Sequence, residues 1–220
     1  MKASRRKFIK TAAIAGAGFT ILPASAIHAK DKDGKVRLGF IGVGLRGQSH
    51  LELALKRSDV DVVALCDIQQ RMMDMSLKMV ADASKPKPAV IMDGPYGYRK
   101  LLQNKDIDAV VISTPWEWHT VMCLDSMKAG KYTACEVITG MTVEECWELV
   151  HTSEQTGMPL MMLENVCYRR DVMAVMNMVR QGVFGELVHL QGGYQHDLRE
   201  VKFNNGVDPH GKGVEFGEKG

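Results

Sequence analysis

Six residues, Gly42-Val43-Gly44-Leu45-Arg46-Gly47, constrain this chain more than any other feature. They form a complete G-x-G-x-x-G. Ahead of them Val36-Arg37-Leu38-Gly39-Phe40-Ile41 reads as a buried strand, and behind them Leu51, Leu53, Ala54 and Leu55 supply the apolar side of a helix. Asp61-Val62-Val63-Ala64-Leu65-Cys66-Asp67 reads as a second strand ending in an acid, 20 residues after Gly47. Strand, glycine turn, helix, strand and acid, in that order, are the context a dinucleotide fingerprint requires. Gly42 permits the tight turn, Gly44 lets the backbone approach a pyrophosphate, and Gly47 lets the helix pack close to the strand. The first N–H groups of that helix, at its positive dipole end, face the phosphates. A carboxylate at Asp67 suits two ribose hydroxyls and repels a 2′-phosphate, so the pattern predicts NAD rather than NADP.

The alternation continues downstream. Met72 to Ala83 reads as a helix, Lys85-Pro86-Lys87-Pro88 as an interruption, and Tyr96 to Leu102 as a further short helix. Asp108-Ala109-Val110-Val111-Ile112-Ser113 is a buried strand that runs into Thr114-Pro115 and Trp116-Glu117-Trp118-His119. In an open parallel sheet ligands sit beyond the carboxyl ends of the strands, so that segment is a candidate for the nicotinamide side. A helix is expected from His119 to Ala129, then a strand over Lys131–Val137, a helix from Val143 through Glu154, and a strand Leu160–Leu163 ending in Glu164-Asn165. The fold class this predicts is α/β, a Rossmann-type doubly wound parallel sheet over residues 35–165.

Residues 1–29 read differently. Ser4-Arg5-Arg6-Lys7 opens a basic start with paired arginines, and Thr11 to Leu22 is weakly apolar and rich in Ala and Gly. That run is too short for a membrane span of roughly 20 residues. Ala24-Ser25-Ala26 and Ile27-His28-Ala29 both offer a small-x-small cleavage site. The expectation is a twin-arginine signal, with the twin-arginine export machinery as partner and a periplasmic or cell-envelope destination. The double variant Arg5→Lys, Arg6→Lys keeps the charge, so normal export of its precursor would contradict this expectation.

Composition is that of an ordinary globular chain, 45% hydrophobic and 25% charged. The net charge of +2 gives no case for nucleic acid. Cys66, Cys123, Cys135, Cys146 and Cys167 show no C-x-x-C spacing, so no metal site is expected, and scattered in apolar stretches they read as buried thiols. Met72, Met73, Met75 and Met79, at helical spacing, read as core filling.

The run Gly42 to Gly47, Asp67, Asp108 to Pro115, Ala129-Gly130-Lys131, Glu136 and Asn165 resembles the Gfo/Idh/MocA oxidoreductases. Ordinary dehydrogenases of that family carry Glu-Lys-Pro where this chain has Glu136-Val137-Ile138, and that lysine is tied to hydride transfer. The substitution is similar instead to glycoside hydrolase family 109, NAD-dependent α-N-acetylgalactosaminidases. So are Trp116 to His119, Glu164-Asn165 and Gly192 to Glu200. The resemblance implies a carbohydrate substrate and NAD contacts from Leu45, Arg46, Asp67, Trp116, Glu117, Trp118, His119, Glu136, Val137 and Asn165. It places Tyr194 on the sugar, with Glu164 and His196 close by.

The implied chemistry oxidises sugar C3, so that the ketone acidifies the C2 proton. Loss of that proton expels the C1 oxygen, water adds, and the hydride returns, leaving the cofactor unchanged. Tyr194 is the candidate base, with a stacking role as the alternative, and His196 a candidate acid or hydrogen-bond partner. The family's substrate domain runs about 200 residues further, so residues 166–220 are expected to be the start of a truncated α+β substrate domain. Two other readings stay open: a sugar oxidoreductase, and an NAD-binding chain without turnover. The sequence leaves a homo-oligomer open.

Overall fold

The computed structural model describes residues 34–193 and residue 195. The expected export signal, Tyr194 and His196 lie outside the described residues.

The chain alternates strand and helix. In order come β1 (Val36–Ile41), α1 (Leu45–Leu55), β2 (Val60–Cys66), α2 (Gln70–Asp82), β3 (Ala89–Ile91), α3 (Tyr98–Leu102), β4 (Ala109–Ile112), α4 (Trp116–Lys128), β5 (Tyr132–Cys135), α5 (Val143–Thr156), β6 (Leu160–Met162) and α6 (Arg170–Arg180). The strands form one parallel sheet in the order β3-β2-β1-β4-β5-β6. Strand order reverses between β1 and β4, which is the switch point of a doubly wound sheet.

Two cores explain why the strands read as apolar runs. Phe40 and Leu65 pack with Leu51, Leu55, Met73 and Val80 from α1 and α2. Ile41, Cys66, Val110 and Ile112 pack with Leu101, Met122, Cys123 and Met127 from α3 and α4. Neighbouring residues of one strand therefore serve opposite layers, and both faces are covered by helices. Arg37 braces β1 against the start of β4: its backbone N–H, Nε and Nη2 donate to the Asp108 carboxylate at 2.9, 3.2 and 3.1 Å. Burial alone would raise the Asp108 pKa, but these bonds and the Arg37 and Lys131 charges outweigh it and hold the carboxyl below its usual range.

Local signals set the helix ends. Thr142 and Glu145 form a reciprocal capping box at the start of α5, and Gly157 closes it in the left-handed region at φ 67°. α4 starts at Trp116 rather than at His119. Pro115, whose missing N–H costs a helix start nothing, immediately precedes it. β3 was not expected from sequence: its three residues follow the Lys-Pro repeat directly and pair with β2.

Of the methionines, Met72 and Met73 are buried, while Met75 and Met79 are half-buried. The cysteine expectation is corrected in part. Cys66, Cys123 and Cys135 are buried, but Cys146 and Cys167 are exposed, because Cys146 sits near the start of α5 and Cys167 in the loop before α6. Among the described residues no helix is long and apolar enough to cross a membrane, and α6 has no buried residue.

Candidate NAD site

The glycine turn joins β1 to α1, at the carboxyl edge of the sheet. Gly42 has φ 84°, and a Cβ there would lie 2.6 Å from the Ser113 carbonyl oxygen. A Cβ on Gly47 would lie 2.2 Å from the Gly42 carbonyl oxygen, so α1 approaches β1 as closely as a hydrogen side chain allows. Gly44 is the opposite case: a Cβ there would have no atom within 4 Å. It caps α1 and faces open space, where the helix's first N–H groups have no acceptor within the helix.

The turn is held through the Val43 peptide. The Val43 N–H donates to Asp67 Oδ2 at 2.7 Å, and its carbonyl accepts from Gln48 Nε2 at 3.0 Å and Ser76 Oγ at 3.4 Å. Asp67 Oδ1 accepts the Gln69 N–H at 2.8 Å. Each carboxylate oxygen keeps a second lone pair, so the residue fixes the turn and can still accept from hydroxyls. Gln48 and Ser76, both buried, were not singled out in the sequence; their polar type on an otherwise apolar helix face was the available signal.

A cavity of about 200 Å³ opens beside this turn. Its wall includes Gly42, Gly44, Leu45, Asp67, Thr114 and Trp118. Tyr98 and Cys66 also reach it but are chemically quiet. Tyr98 donates to Asp125 Oδ2 at 2.8 Å, and burial, then that bond, push its phenol up to about 12. Burial, then the charges of Asp67 and Asp93, push the Cys66 thiol up to about 12. The Ser113 hydroxyl, also in this wall, is buried without a hydrogen-bond partner among the described residues. An apolar cleft at the switch point, an open cradle over a helix N-terminus and an orphaned hydroxyl fit a dinucleotide.

Of the other expected contacts only Trp118 lies in the wall of this cavity; Arg46, Trp116, Glu117, His119, Glu136, Val137 and Asn165 do not line it. Trp118 stacks edge-on against Tyr96 at 5.4 Å, and Arg99 lies 4.9 Å over the Tyr96 ring. Trp116 and Glu117 are exposed on the first turn of α4. His119 is drawn inside instead, 1% exposed. Its Nδ1 lies 2.7 Å from the Ile138 carbonyl and its Nε2 2.7 Å from the Thr114 carbonyl, so the ring ties together the loops that follow β4 and β5. Val137 is half-buried, and its peptide bond to Ile138 is cis. Asn165 is exposed, and its N–H donates to Glu164 Oε1 at 2.9 Å.

Arg46 and Glu136 meet. Glu136 Oε1 accepts Arg46 Nε at 2.6 Å and lies 2.5 Å from His50 Nε2. Burial alone would raise the Glu136 pKa; the bonds from His50 and Arg46, with their charges, outweigh it and hold the carboxyl below its usual range. His50 was missed in the sequence, although its spacing of four from Arg46 places both on one helix face.

Residues 36–164 match the family model described as "Oxidoreductase family, NAD-binding Rossmann fold". The chain belongs to this Gfo/Idh/MocA oxidoreductase family. Residues 168–220 match a second description, "Glycosyl hydrolase 109, C-terminal domain". A "Glycosyl hydrolase family 109 protein" of Stenotrophomonas maltophilia (strain K279a) is 50% identical, over 98% of this chain and 48% of its own length. An "Alpha-N-acetylgalactosaminidase" of Tannerella forsythia is 45% identical, over 94% of this chain and 48% of its own. The chain thus spans about half the length of the curated relatives it matches. Among solved structures, the myo-inositol dehydrogenase of Lactobacillus casei in complex with NAD(H) and myo-inositol superposes with a TM-score of 0.61. At 23% identity, over 69% of this chain and 43% of the other, it shares the fold. In keeping with the matched description, the cofactor of this domain is NAD.

Asp67 is expected to set the choice between cofactors. Its charge opposes a 2′-phosphate, and a like-charge contact of several kcal/mol corresponds to about 100-fold weaker binding of NADP than of NAD. In Asp67→Ala the preference should shrink and NAD itself bind less tightly, as read by calorimetry. Equal affinities in the parent would contradict this role.

Proposed function

We propose that the protein is a glycosidase acting on α-N-acetylgalactosaminides, with NAD as a catalyst that ends each cycle unchanged. The observation that carries this reading is the turn after β5. Glu136 there is followed by Val137 and Ile138, and its side-chain partners are Arg46 and His50. Lys131 stands at the other end of β5, where its Nζ donates to the Asn104 and Ile107 carbonyls at 2.6 and 2.8 Å. A lysine that would serve a simple alcohol dehydrogenation is therefore not supplied by this turn. The likeness to family 109 relatives over both parts of the chain supports the same reading.

Bound NAD supplies a reversible hydride acceptor for sugar C3. The chain's own residues do the rest. The glycine turn and the α1 N-terminus hold the pyrophosphate, and Asp67 orients the adenosine ribose. Glu136, anchored by Arg46 and His50, presents an acceptor on the other half of the sheet. Tyr194 takes the C2 proton once C3 is a ketone, and His196 assists departure of the C1 oxygen. Glu164, two residues beyond β6, is assigned to the substrate.

The competing reading, a sugar oxidoreductase, predicts a different balance sheet of products. The test uses this chain in a protein of its relatives' full length, supplied with NAD and an α-N-acetylgalactosaminide. Sugar release with flat absorbance at 340 nm is the expected result. NADH accumulating in step with sugar consumption would contradict the glycosidase reading and favour the oxidoreductase.

A further inference from the structure

His50 has no place in the dinucleotide fingerprint, yet it makes one of the shortest polar contacts in the domain. Its Nε2 lies 2.5 Å from Glu136 Oε1, and Arg46 Nε lies 2.6 Å from the same oxygen. The pKa of Glu136 is lowered, so the carboxylate only accepts and His50 Nε2 is the donor. Glu136 itself is placed by β5: its N–H donates to the Ile112 carbonyl at 2.9 Å, which fixes it at the carboxyl edge beside β4.

The two oxygens of Glu136 are used unequally. Oε1 takes both side-chain donors, whereas among the described residues Oε2 takes only the N–H of the next residue, Val137, at 3.3 Å. The side chain of Glu136 is 12% exposed and that of His50 18%. A carboxylate this enclosed would not keep one rotamer without those donors, because an ion so far from water needs compensating bonds.

The sheet order says which half of a dinucleotide Glu136 stands beside. A dinucleotide crosses the β1/β4 switch point, with one nucleotide over β1–β3 and the other over β4–β6. Asp67, at the end of β2, belongs to the first half. Glu136, at the end of β5, belongs to the second. We propose that His50 is a positioning residue: with Arg46 it clamps Oε1 of Glu136 so that Oε2 accepts from the hydroxyls of the second, nicotinamide-bearing nucleoside. The clamp is the counterpart, on that half of the sheet, of the backbone N–H pair that holds Asp67 on the first. It requires NAD binding alone and is independent of which sugar is the substrate.

The test is a double-mutant cycle on NAD affinity, measured by calorimetry with the 220-residue chain. His50→Ala should weaken NAD binding by about tenfold, and in a Glu136→Ala background it should change affinity by less than about twofold, since a residue acting through another has nothing left to act through. His50→Gln, whose amide still donates to Oε1, should recover most of the affinity, while His50→Leu should not. Equal losses from His50→Ala in both backgrounds would overturn the proposal, as would an unchanged affinity in His50→Ala. If His50→Ala fails to fold, the Gln and Leu variants decide: equal affinities in the two would overturn it. Asp67→Ala in the same series reports on NAD binding itself, so failure of the clamp and failure of the cofactor assignment give different patterns.

Discussion

Gly47→Ala is expected to destabilise the domain by about 3 kcal/mol, the upper part of the range for overpacking a tight site. The added Cβ would meet the Gly42 carbonyl oxygen at 2.2 Å and its carbon at 3.0 Å. Both are backbone atoms, which cannot swing aside as the end of a flexible side chain could. α1 would have to lift from β1, taking the first-turn N–H groups away from the phosphates. Gly44→Ala should behave in the opposite way. Its φ of −66° suits any residue, and nothing lies within 4 Å of the new methyl group. Stability should stay within about 0.5 kcal/mol of the parent. NAD affinity should nonetheless fall about 10- to 100-fold, the equivalent of 1–3 kcal/mol of overpacking against the pyrophosphate. Urea melts and calorimetry on the two variants separate these effects. A Gly47→Ala protein that melts like the parent would contradict the close approach, and undiminished NAD binding by Gly44→Ala would contradict the cradle.

The first βαβ unit was legible in the sequence because each residue there has a local reason. The β1 and β2 runs are apolar because both faces of the sheet are covered, and the glycines are set by backbone geometry. Asp67 was readable by its distance from the turn. Its second task, holding the Val43 N–H, was not, because that contact bridges 24 residues and exists only when β1 and β2 pair in register. His50 was hidden for the same reason, since its partner is 86 positions away. β3 was obscured by its length and by the prolines just ahead of it. His119 illustrates a different limit. Its motif suggests a ligand contact, but its ring is engaged at both nitrogens by backbone carbonyls, and a burial of that kind has no periodic signature. The start of α4 at Trp116 follows from Pro115, a signal present in the sequence.

The larger consequence concerns the reaction. A glycosidase that works through two carboxylates flanks C1 with an acid and a nucleophile or base. The proposed route removes the C2 proton instead, with Tyr194 as the base. Tyr194→Phe deletes only the ionisable hydroxyl. In a protein of the relatives' full length it should lower the rate of sugar release by about 10²–10⁴-fold, the typical contribution of a general base, and leave NAD affinity unchanged. A fall in NAD affinity of the same size would make Tyr194 a cofactor contact rather than a base. The chemistry itself is read from the sugar. With an α-N-acetylgalactosaminide turned over in heavy water, elimination and re-addition place solvent deuterium at C2 of the released sugar, which proton magnetic resonance detects as loss of the C2 proton signal. Deuterium at C2 together with flat absorbance at 340 nm is the predicted result; efficient release of sugar that keeps its C2 proton would contradict the account.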